Sequence, residues 1–283
     1  IVHSPFQFAP YSSRKTIWTL HDVQELHFPE YFSPEERESR ARAWLDNTKR
    51  GQHIFVSYQH VKNDIMKYFY IKEKDISVCL LNMEELWFSN FDSDDIDIEF
   101  LKSCPEKYLL YPANTWKHKN HIGLIEAFKI LKDKNLTEIK ILCTGHQNEH
   151  FEESIFPLLK KHELHNQVFF MGVLEERKLF SLYKNTRGVV IPTKYEAGSF
   201  PLMESILLNS PAICSNVTSL PETIGNTKFV FKPDNYEEIA NLVEKIWFDE
   251  EFRKENRFTL RKQKEKLINK DALNIITKIY SNL

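Results

Sequence analysis

From residue 105 onward, short apolar runs alternate with longer stretches of helical period. The runs lie at residues 108–111, 139–143, 168–171, 189–191, 212–214 and 229–231. Between them, apolar residues recur at three- and four-residue spacing, as at Leu124, Phe128 and Leu131, which places them on one face of a helix. Short, nearly all-apolar strands separated by helices are typical of a parallel sheet covered on both faces. The pattern predicts repeated βα units.

The first hundred residues carry a weaker form of the same pattern. Residues 16–20, 54–57 and 76–80 are predicted strands, and residues 35–47 and 61–69 are predicted helices. A doubly wound half normally opens with a strand and a glycine-rich turn, and neither precedes His3. We therefore expect a partial N-terminal domain at residues 1–104 and a complete second domain at residues 105–268.

Two connecting segments follow from the pattern. The acidic stretch 91–100 is polar enough to be the linker between the domains. Residues 269–283 form a terminal helix with an apolar stripe at Leu273, Ile276, Ile279 and Tyr280. Such a stripe must be buried, and we expect it to pack back on the N-terminal domain.

Composition narrows the class of protein. The chain has 283 residues, 42% hydrophobic, and its 38 basic and 40 acidic side chains give a net charge of -2. This balance argues against a nucleic-acid partner. The four cysteines form no C-x-x-C pair, so reduced thiols in the cytoplasm fit better than zinc or disulfides. No apolar run approaches the roughly 20 residues of a membrane span, while peripheral contact at the inner face of a membrane stays open.

Glycines mark the edge of the sheet where chemistry is expected. Gly145, Gly172 and Gly198 each follow the apolar run of a predicted strand, where α/β sheets turn toward their ligands. A P-loop and a G-x-G-x-x-G turn are both absent from the sequence. Their absence argues against a kinase and against a nicotinamide enzyme.

Residues 195–204, Y-E-A-G-S-F-P-L-M-E, place two acids around a predicted helix start. Pro201 is suited to a first helical turn, whose free amides would bind an anion. Glu204 is then expected in the first turn and Glu196 in the preceding loop. A carboxylate can accept hydrogen bonds from two neighbouring hydroxyls, as in a ribose or a sugar ring. Alternatively, Glu204 only favours the helix dipole and Glu196 is a solvated acid; the residues alone leave both interpretations open.

A second candidate for anion binding is W-K-H-K-N-H at residues 116–121. Lys117 and Lys119 would place charges at another helix start, with Asn120 as its cap. In a parallel sheet this loop and the Glu196 loop share one edge, and together they would suit a diphosphate. The alternative for either lysine alone is a solvated basic turn.

Two further groups of residues are weaker candidates. His21 directly follows the predicted strand 16–20 and could donate to a hydroxyl or a phosphate, although a satisfied core histidine is commoner. The aspartates of residues 92–97 resemble a pair that holds a divalent metal in some sugar-nucleotide enzymes. They sit in a polar segment instead of closing a strand, and we expect no metal site there.

These motifs, taken together, resemble a known family. Residues 195–204 resemble the E-x7-E signature of the retaining glycosyltransferases of family 4, also called glycosyltransferases group 1. The resemblance extends to residues 19–30, 111–121, 169–174, 214–225 and 231–234. It implies an α/β fold of the GT-B type, with two Rossmann-like domains whose parallel sheets face a cleft, the N-terminal one incomplete here.

The resemblance also implies roles for individual residues. It places Glu204 on the ribose of a nucleotide diphosphate sugar and Glu196 near the transferred sugar. Lys119 would neutralise the leaving phosphate, and His21 would face the donor sugar from the other domain. The remaining donor contacts would come from two loops: the amides of Gly198, Ser199 and Phe200, and, around the base, Met171, Val173 and Leu174.

The implied activity is a metal-independent transfer without a cofactor. A hexose, mannosyl- or glucosyl-type, would move from a GDP- or UDP-sugar to a glycan or lipid-linked acceptor, with retention of configuration. Two features depart from the family pattern: residues 113–115 hold no arginine, a role that Lys117 or Lys194 would take, and the glycine-rich acceptor loop is missing. A related epimerase or hydrolase, and a sugar-nucleotide-binding homologue without activity, are the alternatives.

Overall fold

The computed structural model describes residues 1–80, 90–268 and 271–283. The chain divides into two compact units, Ile1–Asn82 with Leu267–Leu283, and Met83–Lys266. This division comes earlier in the chain than the boundary predicted after residue 104. The reason is that residues 91–100, the predicted linker, pack within the second unit. Phe91 stacks on Phe180 with ring centroids 5.3 Å apart, and the Asp97 amide donates to Ser181 Oγ at 2.8 Å.

The first unit contains one parallel sheet with its strands in chain order. Its strands are β1 (Val2–Ser4), β2 (Thr16–Thr19), β3 (Gly51–Val56) and β4 (Ile76–Val78), and its helices before residue 80 are α1 (Gln24–His27), α2 (Pro34–Arg50) and α3 (Gln59–Phe69). Strand β1 was not predicted, because three residues are too few to establish an alternating pattern. Ser33 and Glu36 form a capping box that starts α2.

The last helix, α12 (Asp271–Asn282), also lies on this first sheet. Ile276 and Ile279 pack against a buried cluster of Ile17, Phe55 and Cys79. The rest of the apolar face differs from the predicted stripe. Ala272, Ile275 and Leu283 complete it. Leu273 and Tyr280 are 68% and 37% exposed, because the buried face is centred on Ile276 and Ile279 and these two residues lie to one side of it.

The second unit contains a six-stranded sheet in the order β10-β9-β8-β5-β6-β7. Each pair of neighbouring strands in this order runs parallel. The strands are β5 (Leu109–Pro112), β6 (Ile141–Thr144), β7 (Val168–Phe170), β8 (Gly188–Ile191), β9 (Ala212–Ser215) and β10 (Val230–Phe231). The predicted βα alternation is confirmed, with strand ends shifted by one or two residues.

Helices surround this sheet, and apart from α4, which has no buried residue and contacts α7, they bury apolar side chains in the second unit. They are α4 (Ile98–Lys102), α5 (His121–Asp133), α6 (Phe156–Lys161), α7 (Glu176–Asn185), α8 (Phe200–Leu208), α9 (Leu220–Ile224), α10 (Tyr236–Phe248) and α11 (Glu250–Leu267). Close packing explains why residue 188 is a glycine: a Cβ at this position would lie 2.2 Å from Ile246 Cδ1 of α10. Leu124, Phe128 and Leu131 of α5 are fully buried, as their spacing predicts.

One side chain joins α11 to the start of β9. Asn256 is fully buried; its Oδ1 accepts from the Ala212 amide at 2.9 Å and its Nδ2 donates to the Ala212 carbonyl at 2.7 Å. Both backbone groups of Ala212 therefore depend on one amide side chain, as β-strand groups elsewhere depend on a neighbouring strand.

Replacing Asn256 should destabilise the second unit strongly. Asn256→Leu keeps a similar volume and leaves two buried backbone groups unpaired, so the free energy of unfolding should fall by about 2 to 4 kcal/mol. Urea denaturation followed by circular dichroism measures this change. The matched control is Asn241→Leu on the exposed face of α10, which should change it by less than about 0.5 kcal/mol. Equal effects of the two substitutions would contradict the role of Asn256.

Candidate functional site

Two loops meet at the carboxyl edge of the second sheet. Strands β5 and β8 are neighbours, so the loops that follow them leave the sheet side by side. The Lys194 amide donates to the His118 carbonyl at 2.7 Å, and Thr193 Oγ1 lies 2.9 Å from the same oxygen. The prediction that the two loops share one edge is confirmed.

Lys119 and Glu196 form an ion pair between these loops. Lys119 Nζ lies 2.6 Å from Glu196 Oε1, and the two side chains are only 17% and 8% exposed. Burial raises the pKa of Glu196, while the charge of Lys119 acts in the opposite direction. Glu196 is therefore not a solvated loop acid, and that alternative is wrong.

The backbone of Glu196 is fixed by the turn after β9. Thr218 Oγ1 donates to the Glu196 carbonyl at 2.6 Å, and the Glu196 amide lies 3.2 Å from the same oxygen. Thr218 has a positive φ of 47°, a left-handed conformation that a β-branched residue adopts only when its surroundings impose it. The turn is thus locally strained where it holds the acid in place.

The position of Lys119 is fixed by the residue that follows it. Asn120 caps α5, as predicted, by accepting from the Gly123 amide at 3.3 Å. Its Nδ2 donates to the carbonyls of Pro192 and Pro233, each at 2.9 Å. One buried side chain therefore ties three loops of this edge together.

Helix α8 begins beside Glu196. Its N-cap is Ser199, whose side chain makes no capping bond, and Pro201 stands in the first turn as predicted. The Ser199 hydroxyl is buried without a hydrogen-bond partner among the described residues. The first amides of α8 are therefore not capped by this side chain, and a helix start of this kind attracts an anion.

Helix α8 begins one residue earlier than predicted, which places Glu204 just beyond its first turn. Phe200, not Pro201, is the first helical residue, so the first turn contains no acid. Glu204 is 3% exposed and accepts a hydrogen bond from the hydroxyl of Tyr183. Burial raises the pKa of Glu204 to about 7, against which the Tyr183 hydrogen bond acts. A buried acid beyond the first turn has little to gain from the helix dipole, so that alternative also fails.

The loop after β7 lies at the same edge. Met171 continues the ladder by donating to the Cys143 carbonyl at 2.9 Å, and Val173 is 73% exposed. Gly172 has a positive φ of 70°, and its carbonyl accepts from the Gly145 amide at 2.8 Å. Gly145 cannot be replaced easily, because a Cβ there would lie 2.7 Å from the Ala113 carbonyl. Leu174 ends this loop, half-buried.

The remaining predicted residues are placed as follows. Gly198 is half-buried and Phe200 is 49% exposed, both at the start of α8. His21 belongs to the first unit, where it is half-buried just after β2. Lys194 is paired with Asp234 at 2.7 Å, and Lys117 is exposed.

Two of the four aspartates of residues 92–97, Asp92 and Asp97, are helix N-caps. Asp92 Oδ1 accepts from the Asp94 amide at 2.8 Å, and Asp97 Oδ1 accepts from the Phe100 amide at 2.9 Å. These carboxylates satisfy the first amides of two short helical segments. Their clustering in the sequence has this structural cause.

Sequence reasoning missed the residues that support the acids. Tyr183 lies in the helical run of α7, where an aromatic residue at helical spacing looks like core. Thr218 lies inside residues 214–225, which carry part of the family resemblance, so its neighbourhood was marked although its role was not. Only the packing of α7 and of the turn after β9 brings these two side chains to Glu204 and Glu196.

Known proteins were compared with the chain. The model of the family described as Glycosyl transferases group 1 matches residues 92–267. The O-antigen chain mannosyltransferase B of Escherichia coli is 21% identical over 241 residues, which are 85% of this chain and 63% of that protein. The serotype-specific mannosyltransferase WbdA of Escherichia coli is 27% identical over 248 residues, which are 85% of this chain and 30% of that protein.

A solved structure extends the likeness to the fold. HepE from Anabaena, crystallised with UDP and glucose, superposes with a TM-score of 0.76 at 14% identity, over 95% of this chain and 72% of that chain. The chain spans less than two thirds of the length of each of the two mannosyltransferases above. The family model covers more than half of the sequence, and the structure has two units with parallel sheets, one of which brings Lys119 to Glu196 at its edge. This chain therefore belongs to the glycosyl transferases group 1 family and has the GT-B fold.

Proposed function

We propose that this chain carries the donor-binding part of a retaining family 4 glycosyltransferase that moves a mannosyl group from a nucleotide diphosphate sugar to a glycan or lipid-linked acceptor. The observation that carries the proposal is the buried pair of Lys119 and Glu196 beside the start of α8. The two mannosyltransferases among the relatives support the choice of sugar.

The proposed reaction needs stabilisation of negative charge on the leaving diphosphate. Lys119 is paired with Glu196 in the loop that leads into α8, and in the proposal the lysine and the first amides of α8 bind the same anion. Fixed donors in a site with little water stabilise developing charge without reorganising. In this proposal they do so without a metal ion. Glu196, beside the lysine, would keep the ammonium oriented and would accept a hydrogen bond from a hydroxyl of the transferred sugar.

The proposed role of Glu204 is recognition of the ribose. A carboxylate accepts hydrogen bonds from two adjacent hydroxyls, and a buried one discriminates strongly because an unpaired oxygen is costly there. The base would lie along Met171, Val173 and Leu174, and the diphosphate at Gly198, Ser199 and Phe200. His21 is the further residue that we propose to act on the transferred sugar.

The proposal also concerns contact with a membrane and the alternative activities. Among the described residues, no helix is both long and apolar enough to cross a membrane. For a lipid-linked acceptor, we propose peripheral contact with the inner face of the membrane. Net hydrolysis or epimerisation of the donor without an acceptor would instead indicate a related GT-B enzyme, and binding without turnover would indicate an inactive homologue.

Substituting Lys119 and Glu204 should affect different steps. Lys119→Ala should lower the rate of sugar transfer by about 100- to 1,000-fold, because it removes charge stabilisation in the transition state. Glu204→Gln should weaken binding of the nucleotide sugar by about 10- to 100-fold, because a charged acceptor is lost. Calorimetry with GDP-mannose and UDP-glucose measures binding, and transfer to glycan acceptors measures the rate.

The control for both variants is Lys245→Ala, which removes an exposed lysine from the last turn of α10. It should leave binding and transfer within about twofold of the wild type, since exposed side chains away from a ligand contribute little. Unchanged binding in Glu204→Gln would show that the ribose assignment is wrong. Equal losses in Lys245→Ala and Lys119→Ala would show that Lys119 acts only through the net charge of the protein.

Binding of the donor should also depend on pH. The pKa of Glu204 is about 7, and its ionised form is the better hydrogen-bond acceptor, so affinity should rise with pH. The rise between about pH 6 and pH 8 should reach about tenfold, following the ionised fraction. A nucleotide diphosphate sugar keeps its charge over this range, and His118, with a pKa lowered to about 4 by burial, stays neutral. Calorimetry on Glu204→Gln should show no such rise; a rise that persists there would assign it to another group.

A further inference from the structure

The carboxylate of Glu204 is supported by a phenol. Within residues 90–268, Tyr183 is the side chain that hydrogen-bonds it, through Oε2. Both side chains are buried, with Tyr183 1% and Glu204 3% exposed. The two acids of the site differ in this respect. Burial raises the pKa of both acids; the charge of the Lys119 ammonium opposes this effect at Glu196, and the Tyr183 hydrogen bond opposes it at Glu204.

Tyr183 is itself held firmly. Its carbonyl accepts from Ser210 Oγ at 2.6 Å, in the turn between α8 and β9. Its hydroxyl lies 3.4 Å from the Pro201 carbonyl, at the first turn of α8. A phenol has one proton to donate, and the charged carboxylate is the stronger acceptor. The hydroxyl is therefore fixed between the start of α8 and Glu204.

We propose that Tyr183 is a positioning residue for ribose recognition: it occupies Oε2 of Glu204 and holds the carboxylate so that Oε1 can accept from the ribose hydroxyls. This inference rests on the proposed function, in which Glu204 contacts the ribose. Tyr183 itself does not contact the nucleotide. It sets how strongly the site distinguishes a ribose from a sugar that lacks the 2′ and 3′ hydroxyls.

Energetics support a role beyond packing. A buried carboxylate without a hydrogen-bond donor tends to take up a proton or to turn toward another donor. Either change weakens Glu204 as an acceptor. The Tyr183 hydrogen bond favours the charged form, and it fixes one of the two oxygens, so the loss of one hydroxyl group should reduce discrimination without removing any atom from the nucleotide site.

The test pairs a protein substitution with a matching change in the ligand. Affinities for UDP and GDP, and for their 2′,3′-dideoxy forms, are measured by calorimetry at one pH for the whole chain. The variants are Tyr183→Phe, Glu204→Gln and the control Tyr108→Phe. Like Tyr183, Tyr108 is buried. Its hydroxyl, however, donates to the Leu182 carbonyl at 3.2 Å, and it is not part of the proposed site.

The wild type should prefer the ribose form by about 10- to 100-fold, the range for hydrogen bonds to a buried charge. Tyr183→Phe should reduce this preference to within about threefold and leave affinity for the dideoxy form within about twofold of the wild type. Tyr108→Phe should keep the full preference, although both substitutions lower the melting temperature because each removes a buried hydrogen bond.

Each other outcome has one meaning. If Glu204→Gln abolishes the preference and Tyr183→Phe keeps it, the positioning role of Tyr183 is wrong and the ribose assignment stands. If the wild type shows no preference, or Glu204→Gln keeps it, the ribose assignment in the proposed function is wrong, and the inference about Tyr183 falls with it. If Tyr108→Phe loses the preference to the same degree, the effect of Tyr183 is general destabilisation.

Discussion

The buried ion pair between Lys119 and Glu196 is the interaction around which this edge of the sheet is organised. Removing two charges from water costs several kcal/mol for each ion, and only good geometry recovers that cost. The adjacency of β5 and β8 supplies the geometry. Asn120 then joins the two loops through Pro192, and Thr218 fixes the backbone of Glu196. Because the charged pair has little exposure to solvent, it needs these hydrogen bonds from Asn120 and Thr218 to hold its geometry.

The two acids of residues 195–204 are not equivalent. Burial raises the pKa of both, but Glu196 faces an ammonium and Glu204 faces a neutral phenol. A charge opposes desolvation more strongly than a neutral hydrogen-bond donor does. Glu204 therefore titrates near neutral pH, at about 7, whereas Glu196 is stabilised as one half of an ion pair. The spacing of Glu196 and Glu204 in the sequence, eight positions across a helix start, does not show that one faces an ammonium and the other a phenol.

The sequence predicted the second sheet well because its strands are short, apolar and separated by helices of clear period. It failed where a segment is too short or too polar to show a period. Strand β1 has three residues, and residues 91–100 looked like a linker although Phe91 and Asp97 pack on α7. For α12, the predicted stripe shares Ile276 and Ile279 with the buried face, but that face is rotated away from Leu273 and Tyr280. Apolar spacing in the helical period leaves such a rotation undetermined.

The candidate site was predictable to the level of loops and no further. Parallel strands bring their carboxyl ends to one edge, so the sequence alone was enough to place Lys119 and Glu196 on the same side of the sheet. Their direct contact also requires that β5 and β8 be neighbours, although they are not consecutive in the chain, and strand order does not follow from periodicity. Tyr183 shows the same limit more sharply. A residue that supports a functional acid must itself be buried and rigid, and burial gives it the spacing of an ordinary core residue. The support of a site is therefore hidden in the sequence by the property that makes it effective.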